Sequence, residues 1–186
     1  MRKARVIVTH SCNRSCDGCC NKDIDMNKVK KVDNLNDLID YDEVMITGGE
    51  PLLLDQRVKS MASVLRYYSN QRGRIVNIYL YTAYCPDWPS PIIKMFDGIH
   101  YTIHYPCNDE DVRMLKKMTE ALEDVKKERF STRLAIDKRC FEDYDFSNID
   151  FSSWDVIRRM EWKKDCPLPE GEELLIYDLE NVHRGE

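Results

Sequence analysis

The sequence predicts an α/β fold with a parallel sheet, and three observations support this. Short β-rich runs alternate along the chain with longer stretches of helical periodicity, which is the pattern of βαβ units. The chain has 186 residues, which is fewer than the roughly 250 of a complete eight-fold barrel but enough for about six βα units. Cysteine, glycine and other polar residues follow the predicted strands, where proteins of this class place their sites.

Strands are predicted where apolar and β-branched residues cluster. The six predicted strands are residues 4–9, 43–47, 75–81, 99–103, 132–136 and 156–160. A further apolar patch at residues 174–177 is either a last strand or a cap on the open side of the sheet.

Helical periodicity fills the intervals between these strands. It is clearest over residues 54–68, where Val58, Met61, Ala62 and Leu65 repeat at i, i+3, i+4 and i+7 before Gly73. Further helices are predicted at residues 34–39, with Asn34 as N-cap, and at 89–95 and 109–128. Acidic residues 109–111 suit a helix start. Residues 21–33 and 170–173 read as a solvated loop and a solvated tail.

Composition limits the classes of function. A formal net charge of -5 without a long basic block gives no indication of nucleic-acid binding. The N-terminus does not read as a signal peptide, and no apolar run approaches membrane-spanning length. We therefore expect a cytoplasmic protein of one domain, with a core at about 4–162 and a C-terminal extension at 163–186.

Potential metal ligands are most closely spaced in the run from Cys12 to Cys19, directly after the first predicted strand. Its three thiols, Cys12, Cys16 and Cys19, are spaced by four and three residues. Three thiolates suit an iron–sulfur cluster with one iron left open, whereas a structural zinc site wants four ligands. Cys20 could supply a fourth, so zinc stays an alternative. Four dispersed cysteines (Cys85, Cys107, Cys140 and Cys166) are expected to be small buried or loop residues, and no disulfide framework is expected.

A second motif follows the second predicted strand, where Thr47 leads into Gly48, Gly49, Glu50 and Pro51. Glycines allow a ligand to approach the backbone closely, and a glutamate can accept a hydrogen bond from an ammonium group. A zinc-binding module would leave this second motif unexplained.

With both motifs in this order, the sequence resembles the radical SAM superfamily, whose signature is a CxxxCxxC loop after strand 1 and a GGE motif after strand 2. The resemblance implies a partial (β/α)6 barrel and a [4Fe–4S] cluster on Cys12, Cys16 and Cys19. It also implies S-adenosylmethionine (SAM) on the open iron, with the SAM amino group at Gly48, Gly49 and Glu50.

Other candidate site residues fall at the predicted strand ends. Thr82 matches a threonine that many relatives place facing SAM, and His104 and Asp137 are candidates to contact SAM or substrate. Gly18 stands where the superfamily often carries an aromatic residue whose backbone contacts adenine. Cys107 could donate a hydrogen atom, although a passive thiol is the simpler interpretation. His100, Arg139, Cys140 and Arg159 are further polar candidates, and Trp154, Trp162, Lys163 and Lys164 could border a substrate mouth or close the core.

The resemblance implies an oxygen-sensitive oxidoreductase that receives electrons from a flavodoxin- or ferredoxin-type protein. Residues 16–22 and 80–84 resemble activases of anaerobic ribonucleotide reductase, which act on a protein glycyl loop. Residues 47–53 resemble 7-carboxy-7-deazaguanine synthase, which acts on a small molecule. The subfamily stays open at this point, and so does a non-enzymatic zinc or iron–sulfur module.

Overall fold

The computed structural model describes residues 1–125, 130–161 and 167–180. Within these residues a single open sheet of eight parallel strands runs in the order β2-β8-β1-β3-β4-β5-β6-β7. The strands are β1 Lys3–Ile7, β2 Lys30–Lys31, β3 Glu43–Thr47, β4 Asn77–Thr82, β5 Gly98–Ile103, β6 Ser131–Asp137, β7 Val156–Met160 and β8 Glu172–Ile176. The α/β class and the parallel sheet are confirmed, and the open sheet is consistent with a partial barrel.

The α-helices connect successive strands from β3 to β7. They are α1 Asp55–Gln71, α2 Pro89–Ile93, α3 Asp109–Glu123 and α4 Cys140–Asp143. The predicted inner face of α1 is confirmed, because its four periodic apolar residues are all buried, and Gly73 follows the helix with φ +60°. Residues 35–40 form a 3-10 helix instead of an α-helix, with the Asn34 side chain as its predicted cap. The helix predicted over residues 109–128 ends earlier, at Glu123 with Asp124 as its C-cap, and residue 128 itself lies outside the described residues.

Two strands were not among the six predicted from apolar runs. The patch at residues 174–177 lies mainly in β8, which pairs with β1 along its whole length. It is therefore a strand and not a cap. The prediction of a solvated tail at residues 170–173 is therefore wrong for Glu172 and Glu173. Their charges are matched in the sheet, because Glu172 pairs with Arg5 and Glu173 accepts a hydrogen bond from Tyr41. The two-residue strand β2 lies inside the predicted loop 21–33 and pairs with β8.

The two faces of the sheet differ in chemistry. Alternate residues such as Val6, Ile46, Leu80 and Leu134 pack with α1 and α3 in one hydrophobic core. Since side chains alternate along a strand, the intervening residues point to the opposite side, and they are largely polar or aromatic. We call this opposite side the polar face.

All strands run the same way, so their carboxyl ends lie along one edge of the sheet. The loops that follow β1, β3, β4, β5 and β6 start at this edge. These loops hold nearly all of the residues predicted for the site.

Candidate functional site

The cysteine loop lies at the carboxyl edge, directly after β1. Cys12 is exposed, Cys16 and Cys19 are half-buried, and all three have free thiols. A backbone bond from Cys19 N–H to Cys16 O (3.4 Å) folds the loop into a turn that contains Gly18. Cys20 is disulfide-bonded, so its sulfur is not available as a fourth thiolate ligand. This single bond was not expected from the spacing of the cysteines.

The Gly48–Gly49–Glu50 turn packs directly against the entrance of the cysteine loop. Gly49 N–H donates to Thr9 O and Glu50 N–H donates to Ser11 O, each at 2.8 Å. A Cβ atom on Gly49 would lie 2.1 Å from the backbone oxygen of Ser11, so only glycine fits there. Gly48 has a φ of +141°, which also favours glycine. Both glycines are therefore needed to bring the two motifs into contact.

Glu50 joins this turn to the end of β4. Its carboxylate accepts hydrogen bonds from Leu52 N–H (3.0 Å), the Thr82 hydroxyl (2.6 Å) and Ala83 N–H (2.9 Å). Glu50 is 1% exposed, and this burial raises the pKa of its carboxyl, while the three donors oppose the shift. A carboxylate has about four acceptor positions, so roughly one is left for a ligand. Pro51, next in the chain, is buried at the start of a 3-10 turn.

Arg14 is the main site residue that the sequence analysis missed. Its side chain crosses from the cysteine loop to the loop after β5, where it donates to His104 O and Pro106 O at 3.0 Å and pairs with Asp111 of α3. Against the effect of its burial, the pKa of the guanidinium is raised by Asp111 and by the nearby Cys16. A basic residue between two cysteines of a metal-ligand spacing was the signal available in the sequence.

Without a metal, the electrostatics of the loop favour the protonated thiol of Cys12. Burial raises the pKa of the Cys12 thiol, the Arg14 N–H opposes this, and negative charges at Glu50, Cys16 and Cys19 raise it further. These groups are thus near enough to interact, and loading with metal would displace the proton.

The donor set fits an iron–sulfur cluster: three free thiols, one nearby cation and a glycine turn that lets the loop close. In the described ranges, no group of three or more His, Cys, Asp and Glu side chains is arranged to hold a single metal ion. The thiolates of a cubane bind separate irons and stand farther apart than the ligands of one ion.

The remaining predicted residues follow β5 and β6. Asp137 is 1% exposed and makes a two-point contact with the Arg139 guanidinium (3.0 and 2.8 Å), which holds the pKa of its carboxyl below the usual range. His104 is largely buried, and its pKa is lowered to about 4 mainly by burial and by Arg14. Cys107 is buried, which raises the pKa of its thiol, and the Cys140 thiol donates to His104 O at 3.8 Å.

Several candidates lie away from this edge. Arg159 stacks on the Phe141 ring at 4.2 Å on the helix side of the sheet. It also lines an open pocket of about 630 Å³ with residues 141–147 and Phe151, a pocket that holds none of the predicted ligands. Trp154 is buried in the core and donates to Thr119 (2.9 Å), so it closes the core. Trp162, Lys163, Lys164 and Cys166 lie outside the described residues.

Comparison with known proteins identifies one family whose model matches the chain. No curated protein matches the chain significantly. In the described part of the chain, no helix combines the length and the apolar character that crossing a membrane requires. A family model described as a 4Fe-4S single cluster domain matches residues 3–97, a range that holds the cysteine loop and the glycine turn. That range spans half of the protein, and the chain therefore belongs to the 4Fe-4S single cluster domain family.

Proposed function

We propose that this protein is a radical SAM enzyme that cleaves S-adenosylmethionine reductively. The observation that carries the proposal is the contact between the two motifs, in which Gly49 and Glu50 donate backbone hydrogen bonds into the cysteine loop. A cluster-binding module alone has no need of a glycine turn against its cysteine loop. A cofactor that bridges the cluster and the turn would require this arrangement.

Each residue of the edge has a role in this proposal. Cys12, Cys16 and Cys19 would hold a [4Fe–4S] cluster and leave one iron without a protein ligand. Gly48, Gly49 and the free acceptor position of Glu50 would receive the SAM amino group, and Thr82 fixes the Glu50 carboxylate. When bound, the cluster would supply the one-electron chemistry that reductive cleavage of SAM needs, with the electron coming from an external reductant.

Three further residues would line the same edge. The positions of His104 and Asp137 at the ends of β5 and β6 suit contacts with SAM or substrate. Cys107 is buried, so we assign it no hydrogen transfer. An external reductant of the flavodoxin or ferredoxin type would be required.

The test is production of 5′-deoxyadenosine by anaerobically reconstituted, reduced protein supplied with SAM. We expect product from the wild type and none from Cys16→Ala, while Cys85→Ala, which changes a thiol in the hydrophobic core, keeps the activity. If every reconstitution condition gave bound zinc without iron or sulfide, the proposal that this protein is an enzyme would be refuted. A zinc-binding module would then be favoured.

A further inference from the structure

The polar face of the sheet carries a row of aromatic and cationic side chains on β4 to β7, the last four strands of the sheet order. The parallel register places Tyr81 beside His100, and His100 beside Arg133, so these three side chains point to the same side. Arg158 joins them from β7, because it pairs with Ala135, two residues beyond Arg133 and so on the same side of the sheet. The core residues Leu80, Tyr101 and Leu134 lie on the opposite side, against the helices.

Among the described residues, two exposed cations of this face, Arg133 and Arg158, have no counter-ion. Arg5 on the same face pairs with Glu172 at 2.7 Å, and its neighbour Lys3 pairs with Glu43 at 2.9 Å. Within the described part of the chain, by contrast, Arg133 and Arg158 make no ion pair or hydrogen bond through their side chains. A protein with net charge -5 thus keeps two unneutralised guanidinium groups on neighbouring strands.

Two aromatic rings, those of Tyr81 and His100, are stacked beside these arginines. The rings of Tyr81 and His100 stack with centroids 4.6 Å apart, and the Arg5 guanidinium lies 5.0 Å from the Tyr81 centroid. His100 Nδ1 is buried and has no hydrogen-bond partner in the described residues. The pKa of His100 is lowered to about 4 by burial and by the charges of Arg5, Arg133 and Arg158, so its ring is neutral while its surroundings are positive.

We propose that the polar face, at Tyr81, His100, Arg133 and Arg158, binds the anionic group of a small-molecule substrate, a carboxylate or a phosphate. Guanidinium groups match both anions with paired hydrogen bonds. This inference rests on the proposed function for the reaction and names its substrate class, and it favours a small molecule over a protein glycyl loop.

The position of this site relative to the edge sets the size of the substrate. Strands rise about 3.3 Å per residue. Arg158 lies two residues before Met160, which pairs with Asp137 at the edge, a distance of roughly 7 Å along the strand. His100 lies four residues before His104, or roughly 13 Å. The hydrogen to be abstracted should thus lie about 7–13 Å from the anionic group.

The test is a titration of the full-length protein with inorganic phosphate and, separately, with acetate at constant ionic strength, followed by NMR of the histidine rings. We expect at least one anion to give a saturable shift of the His100 resonance and to raise the pKa of His100, because a bound negative charge favours the imidazolium. The double variant Arg133→Gln/Arg158→Gln should bind that anion at least about tenfold more weakly.

The matched control is Arg113→Gln, which removes an arginine from the exposed surface of α3 and should leave binding unchanged. Shifts that are linear in both anions, or equal in the double variant and the wild type, would overturn the inference. Absence of 5′-deoxyadenosine release from the wild type would count against the proposed function alone, since the anion titration does not depend on it.

Discussion

Arg14 of the cysteine loop forms a buried ion pair with Asp111 of α3, 97 positions along the chain. The two side chains are 11% and 2% exposed. Asp111 is also part of the capping box of α3, in which it accepts from the Asn108 N–H at 2.9 Å and Asn108 accepts from the Asp111 N–H. The pair therefore anchors the proposed cluster ligands to a helix start that packs in the core.

Replacing Arg14 with alanine should destabilise the protein markedly. Asp111 would keep its charge in a buried position without the guanidinium, and uncompensated buried charges of this kind cost about 3 kcal/mol or more. Urea unfolding of the protein without cluster measures the change in free energy of unfolding. Arg113→Ala is the matched control, because it breaks an exposed pair with Glu110 on the same helix and should cause no measurable loss. Equal effects of the two variants would contradict the assigned role of Arg14.

The strands that the sequence predicted are those whose signal is local. Val44, Met45 and Ile46 form an apolar run between polar residues, and β3 matches its predicted bounds. Lys30 and Lys31 carry no such signal, and they form a strand because β8 supplies a pairing edge from more than 140 residues away. Glu172 likewise reads as a solvated residue until its partner Arg5 is known.

Only those site residues that lie in short contiguous motifs could be predicted from the sequence. The three cysteines and the glycine pair are contiguous motifs, so their chemistry is visible in the sequence. The roles of Arg14, His100 and Arg133 depend on contacts with residues that are distant in the sequence. A single sequence does not reveal such contacts. Asp111 was predicted only as one of three acids that suit a helix start, and the near-complete burial of its carboxylate was not visible in the sequence.

Gly49→Ala should disrupt the contact between the two motifs. The new methyl group would overlap the Ser11 backbone oxygen, and overpacking of this kind costs about 1–3 kcal/mol and shifts the backbone. We expect lower iron and sulfide content after reconstitution, together with the loss of stability. Gly73→Ala is the control for cluster content: a Cβ there meets nothing within 4 Å, but its φ of +60° strains alanine, so this variant should lose stability and keep its iron and sulfide. Full cluster content in Gly49→Ala would argue against a role of this contact in forming the site.

Each of Cys12, Cys16 and Cys19 should be required for the cluster. Removing one thiolate leaves one more iron without a protein ligand. The visible absorption of the reconstituted protein and its iron content should fall to background in each alanine variant. Cys85→Ala should keep both, because Cys85 is buried in the hydrophobic core. If a single variant kept a full cluster, that cysteine would not be a ligand.

Asp137 should make stability depend on pH in the acid range. Its pKa is lowered by the Arg139 side chain, so its contribution is present above the unfolded value of about 3.9 and is lost as the pH falls through the folded value. Asp137→Asn should therefore cost about 1 kcal/mol at pH 7, and its difference from the wild type should begin to shrink as the pH falls below the unfolded value of about 3.9. Urea unfolding of the cluster-free protein from pH 7 to pH 3 measures this. Glu142→Gln, at an exposed position on α4, should show no comparable dependence. A constant difference between Asp137→Asn and wild type down to pH 3 would show that the Arg139 contact does not control the titration of Asp137.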